Sequence, residues 1–218
     1  MFSLSRILTV SAAFFVTAQA HFTLDYPPAR GPYVGQEELK FCSGYPTQTN
    51  NRSLFSIDNG QIQVNARHDT STFVALISFD ADPQNFLDFN QTDDGTPIPL
   101  LKPFLALQGA GELCVPVNVS ALGVPGVGPG TNATILIQFV GGDGTLYQCS
   151  DVTLTNDTSV TAPPCTNGTT VTAVSTSNVT TTSSHSSPSA TPTNGAELLR
   201  LSPVALLAFA GALFAAAL

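Results

Sequence analysis

The chain has 218 residues and a formal net charge of −8, from seven Lys and Arg against 15 Asp and Glu. Between His21 and Asn194 the balance is five cations against 14 acids, a net of −9. Such a surface repels phosphate backbones, and the sequence holds no basic patch, Gly-rich phosphate loop or nucleophile elbow, so nucleic acid is excluded as an expected partner.

Residues 1–20 read as a secretory signal peptide. Arg6 supplies the charged start, Ile7 to Val16 is a mostly apolar run, and Ala18-Gln19-Ala20 is a small-residue cleavage site. Cleavage there makes His21 the first residue of the mature chain. An N-terminal histidine offers a metal two nitrogens, its imidazole and its α-amine. The amine has a pKa of only about 7.7–8.0, so a metal displaces its proton near neutrality.

The segment that follows is read as strands. Gln61 to His68 alternates, with Ile62, Val64 and Ala66 on one face and His68 continuing that parity at the strand's end. Phe73 to Phe79 is an apolar run broken only by Ser78. Glu112 to Val117 is short and carries Cys114, Ala133 to Val140 is rich in β-branched residues, and Leu146 to Leu154 carries Cys149. Asp58-Asn59-Gly60 and Gly141-Gly142-Asp143-Gly144 read as turns, and residues 80–100 and 121–131 as loops. Helix signals are nearly absent. Short strands with turns at this density predict an all-β antiparallel sandwich over residues 21–165.

Cys42, Cys114, Cys149 and Cys165 are the four cysteines. In an oxidising compartment they imply two disulfides, and the spacing leaves all three connectivities open. Seven N-x-S/T sequons, at Asn51, Asn90, Asn118, Asn132, Asn156, Asn167 and Asn178, are candidate glycosylation sites.

Beyond Cys165 the composition changes. Ser and Thr make up 17 of the 29 residues from Thr166 to Asn194, without an aromatic. Residues 166–194 therefore read as a glycosylated stalk that buries too little apolar surface to fold. Asn194-Gly195-Ala196 is a triplet of small residues, followed by a short spacer and by the apolar run Leu201 to Leu218. Residues 195–218 have the layout of a GPI-anchor signal, with Asn194 as the attachment residue; a retained tail anchor is the alternative.

Of the three histidines, His185 lies in the stalk, which leaves His21 and His68. Two imidazoles and an α-amine supply three nitrogens, a planar set that favours Cu(II), whereas zinc prefers a tetrahedral site with another strong ligand. Asp143, taken alone, is a turn residue in Gly-Gly-Asp-Gly, where Asp is at home.

Two segments together carry a resemblance. The start His21-Phe22-Thr23-Leu24-Asp25-Tyr26-Pro27-Pro28 and the segment Asp143-Gly144-Thr145-Leu146-Tyr147-Gln148-Cys149 resemble fungal copper-binding proteins similar to lytic polysaccharide monooxygenases, of the Bim type implicated in copper acquisition. The resemblance extends over residues 21–165 and both appendages. It implies an immunoglobulin-like β-sandwich bearing a histidine brace completed by an aspartate. The first histidine falls on His21, the second on His68 and the aspartate on Asp143, with Asp69 and Asp151 as rivals. Monooxygenase sandwiches further imply the pairs Cys42–Cys149 and Cys114–Cys165.

The function so implied is Cu(II) binding on the extracellular face of the plasma membrane or in the cell wall, through a GPI lipid, with copper handed to a membrane transporter. His21 would give two nitrogens, His68 one and Asp143 an oxygen. Polysaccharide oxidation is not expected. The polymer-cleaving relatives expose a flat, often aromatic face and place Tyr or Phe near the copper axis. This chain has no Trp and four scattered Tyr, and Tyr147 in Leu-Tyr-Gln-Cys is out of step with the Tyr-x-x-Cys of some monooxygenases, so core packing is its expected role. The alternatives are a copper monooxygenase acting on cell-wall glycan, and a structural mannoprotein.

Overall fold

The structure is a computed structural model and describes residues 21–142 and 144–176. The expectations for residues 1–20, Asp143, Asn178, His185, Asn194 and 195–218 lie outside the described residues.

Among the described residues nine strands form two sheets, with four short 3-10 turns and no α-helix. The smaller sheet has the order β1-β3-β6, from β1 (Phe22–Tyr26), β3 (Gly60–Ala66) and β6 (Gly111–Val117). The larger has the order β2-β8-β7-β4-β5-β9. Its members are β2 (Ser53–Ser56), β4 (Thr70–Ser78) and β5 (Lys102–Gln108), then β7 (Asn132–Gly141), β8 (Gly144–Thr155) and β9 (Thr172–Ser175). This is the expected β-sandwich with one departure: β2 runs parallel to β8, so the larger sheet is mixed.

Periodicity accounts for the layers. In β3, Ile62, Val64 and Ala66 point into the core while Gln61, Gln63 and Asn65 stay partly exposed. β7 has no such alternation at its centre, because both of its faces are covered. Ile135, Ile137 and Phe139 enter the inter-sheet core; Leu136 joins a second cluster with Cys42, Phe89 and Cys149 on the sheet's outer side. Loop residues Phe41, Cys42 and Phe89 build that outer cluster, while Ile98 and Leu101 turn into the inter-sheet core.

Disulfides join Cys42 to Cys149 and Cys114 to Cys165. The first pins the loop before β2 to the middle of β8. Cys42 and its neighbour Ser43 both adopt left-handed backbone angles, φ 49° and 55°, which non-glycine residues hold only when surrounding contacts dictate it. The disulfide supplies one contact. The Ser43 hydroxyl, donating to the Tyr147 carbonyl at 2.5 Å, supplies another.

The folded part continues past Cys165, where the sequence suggests it ends, through β9 at Thr172–Ser175. Asn167 Oδ1 accepts the Cys114 amide at 2.7 Å, the Thr170 hydroxyl donates to the Ala110 carbonyl at 2.6 Å, and Val171 is buried in the main core. β9 then completes the open edge of β5. Thr and Val suit a strand as well as a stalk, so composition alone does not separate the two.

Candidate functional site

Register brings the two candidate histidines to one end of the sandwich. Phe22 pairs with Ala66, so His21 lies opposite Arg67, whose amide donates to the His21 carbonyl at 3.2 Å. His68 follows in the turn between β3 and β4; the strand stops at Ala66 and does not reach His68. Ser71 pairs with Gly141 across the β4–β7 ladder, which sets this turn beside the β7–β8 turn. A methyl group placed on Gly142 would lie 3.4 Å from His68 Cε1. His68 therefore meets Gly142, the residue before Asp143, while a methyl group on Gly35 would lie 3.0 Å from His21 Cε1; Asp143 itself is outside the described residues. Among the described residues no three His, Cys, Asp or Glu side chains form a metal cluster.

The structure adds a residue that sequence reasoning missed. Glu38 is 0% exposed, and its Oε2 lies 2.7 Å from His21 Nδ1. Its Oε1 accepts from Gln148 Nε2 at 2.6 Å. Gln148 in turn donates to the Phe22 carbonyl at 2.8 Å and accepts the Leu24 amide at 2.9 Å. β1 is an edge strand with β3 on one side only; the Gln148 amide stands in for a missing neighbour strand on the other. One side chain from β8 thus fixes both the strand that carries His21 and the carboxylate against its ring.

Glu38 is fixed from its own backbone too, since its carbonyl accepts the Tyr147 amide at 2.8 Å. Burial pushes its carboxyl above the ordinary 4.5, and the hydrogen bonds from Gln148, His21 and Tyr33 offset that only in part. Tyr33 closes the other side of the ring, edge-on to His21 with centroids 5.9 Å apart. Partial burial, with the Glu38 charge, raises its phenol to about 12, so it stays protonated at neutral pH. The Arg67 guanidinium sits 5.7 Å from the Tyr33 ring centroid. Glu38 lies in an irregular loop, where no periodicity marks it. Gln148 did leave a signal: it shares the inward parity of Leu146 and Val152 on β8, and a polar residue on that face must have a partner.

The two rivals to Asp143 are placed differently. Asp151 is taken up by structure, with Arg30 Nε and Nη2 donating to its two oxygens at 2.9 and 2.8 Å and Thr134 and the Thr49 amide adding further bonds. It lies on the outer face of β8, among these partners, and has no lone pair to spare for a metal. Asp69 is exposed in the β3–β4 turn next to His68. Tyr147 packs on the outer side of the sheet, its ring 4.7 Å from Phe86, in the packing role expected of it. All six described sequon asparagines, Asn51, Asn90, Asn118, Asn132, Asn156 and Asn167, are exposed.

Comparison with known proteins shows the family of the chain. Residues 19–170 match the model of the family described as "Copper acquisition factor BIM1-like". Two relatives named "Copper acquisition factor BIM1", from Cryptococcus neoformans var. grubii and var. neoformans, are each 42% identical over 154 residues, 71% of this chain and 68% of theirs. An uncharacterized protein of Aspergillus fumigatus is 32% identical over 168 residues, 69% of this chain and 64% of its own. Among solved structures, a lytic polysaccharide monooxygenase of Jonesia denitrificans matches 62% of this chain and all of its own at 15% identity, with a TM-score of 0.35.

Proposed function

The chain belongs to the BIM1-like copper acquisition factor family, and we propose that it captures Cu(II) outside the cell through His21 and His68 and passes it on without oxidising a polysaccharide. The observation that carries this reading is that β1–β3 register sets His21 beside the turn that holds His68, and that His68 lies against Gly142 of the β7–β8 turn. Two curated relatives bear the name copper acquisition factor, which agrees with it.

Copper is the cargo here. Imidazole nitrogens suit Cu(II), which stands at the top of the divalent affinity series. Once residues 1–20 are removed, the His21 α-amine and imidazole can chelate one ion and His68 can add a third nitrogen. Asp143 is the proposed oxygen donor; an anionic ligand favours Cu(II) over Cu(I) and occupies a position that dioxygen would need. The ligands must shed protons to bind, so the site can load and unload with local conditions. A GPI lipid joined at Asn194 would hold the chain at the extracellular face of the membrane, within reach of a copper transporter.

The test is Cu(II) titration of the secreted domain with electron paramagnetic resonance. A mature chain beginning at His21 should bind one equivalent. A chain with an added Met before His21 and a His68→Ala chain should each bind at least about 100-fold more weakly, as expected for loss of a ligand. Asp143→Asn should weaken binding and ease reduction of the ion. Phosphatidylinositol-specific phospholipase should free the native protein from cells. Equal affinity of the Met-extended and mature chains would sink the brace, and oligosaccharide release from cellulose, chitin or xylan with ascorbate would reassign the protein as a monooxygenase.

A further inference from the structure

A metal chelated by the His21 α-amine can close a ring with Nδ1 of the same residue, through Cα, Cβ and Cγ. Nε2 points away from the amine and cannot close it. The nitrogen that such a chelate requires is the one that lies 2.7 Å from Glu38 Oε2. A contact of that length leaves no room for an ion between the two atoms.

Glu38 cannot easily turn aside. Its other oxygen is held by Gln148 at 2.6 Å, and Gln148 is locked in turn by Phe22 and Leu24 of β1. An ionised Glu38 can only accept in this contact, which then needs the ring proton on Nδ1.

Resting on the copper-binding reading above, we propose that Glu38 is a positioning residue that competes with copper for His21 Nδ1. The apo site is closed by the Glu38–His21 hydrogen bond. Copper enters as the imidazole exchanges that bond for the metal, its proton moving to Nε2 or to water. Departure of the ion is assisted by the return of the same bond. This keeps the site exchangeable, which a cargo carrier requires and a permanent metal centre does not.

Glu38→Gln separates the two roles while preserving shape. Gln148 Nε2 is a donor whose orientation is fixed by β1, so the new side chain must keep its oxygen toward Gln148 and turn its amide nitrogen toward His21. Nδ1 must then accept, and the ring switches to the Nε2-protonated form that copper requires. The neutral amide bond that replaces the charge-assisted one is the weaker competitor, so Cu(II) affinity of the mature chain should rise severalfold. Transfer of copper to a competing chelator should slow by a comparable factor. In copper-free wild type, nitrogen-15 spectra should show His21 protonated at Nδ1, a readout that needs no variant to fold.

Unchanged or weaker copper binding by a folded Glu38→Gln chain overturns the proposal, as does a wild-type apo ring protonated only at Nε2. If the mature wild type binds no copper while its His21 spectrum shows the Nδ1 proton, the copper reading fails and the Glu38 contact stands as a structural one.

Discussion

Three hydrogen bonds converge on one amide at the site end of the sandwich. Gln148 serves the Leu24 N–H, the Phe22 carbonyl and Glu38 Oε1, all in the buried space between β1 and β8. Gln148→Ala would orphan all three at once. A buried group left without a partner costs about 1–3 kcal/mol, and water entering the vacated space would satisfy part of the set. The expected loss is therefore about 2–4 kcal/mol, read as a fall in the denaturant midpoint. The same variant should broaden the His21 ring resonances, since Glu38 would then be held only from its backbone. A folded Gln148→Ala chain with wild-type stability would show that β1 needs no partner on its outer edge.

At the scale of the element, β9 is held to β5 through a close approach at Gly109. That glycine has φ +89°, and a methyl group there would lie 1.7 Å from the Thr170 carbonyl oxygen. Gly109→Ala must push residues 170–175 away as well as strain its own backbone, and we expect a cost of about 2–3 kcal/mol. Amide exchange should show lost protection in Thr172–Ser175 with β7 and β8 intact; protection unchanged in β9 would count against the arrangement. β9 was also the strand least readable beforehand, because Thr-Ala-Val-Ser sits inside a Ser/Thr-rich stretch and its only cue is a partner some 65 residues earlier at β5. The strands that could be read, β3, β4, β6, β7 and β8, announce themselves by alternation or by long apolar runs. β5 begins with a lysine and a proline, and β2 has four residues, too few for a period. His21 and His68 were legible as a pair since histidine is scarce in this chain. Glu38 was not, because its burial follows from a loop geometry set by the Cys42–Cys149 bridge and by Tyr147. The disulfide pairing came from the family resemblance and not from cysteine spacing.

For the whole molecule, the loop that carries Glu38 is fastened to the larger sheet at both ends. The Cys42–Cys149 bridge is one fastening. The other is Arg30, whose guanidinium reaches Asp151 and Thr134 on the sheet and the Tyr45 and Pro46 carbonyls on the loop. Both members of the Arg30–Asp151 pair have side chains only 1% exposed. Burial by itself would raise the Asp151 carboxyl; the Arg30 bonds, the Thr49 amide and the Thr134 hydroxyl outweigh it and hold the group below its ordinary 3.8. A carboxylate whose folded pKa is depressed contributes stability that is present above the ordinary value and is lost as pH falls through the folded value. Acid should therefore unfold the protein below about pH 4, with loss of the loop over β8 accompanying the transition. Asp151→Asn leaves Arg30 buried without its counter-charge, and breaking a buried pair in this way costs about 3–5 kcal/mol. That variant should be less stable than wild type at pH 7, and the gap should narrow as the pH is lowered from 4 toward 2, because wild type loses the same charge by protonation. Equilibrium denaturation at pH 7, 4 and 2.5 measures it. A gap that stays constant across that range would mean that Asp151 is not titrating with folding, and that the fastening relies on the disulfide and the neutral hydrogen bonds alone.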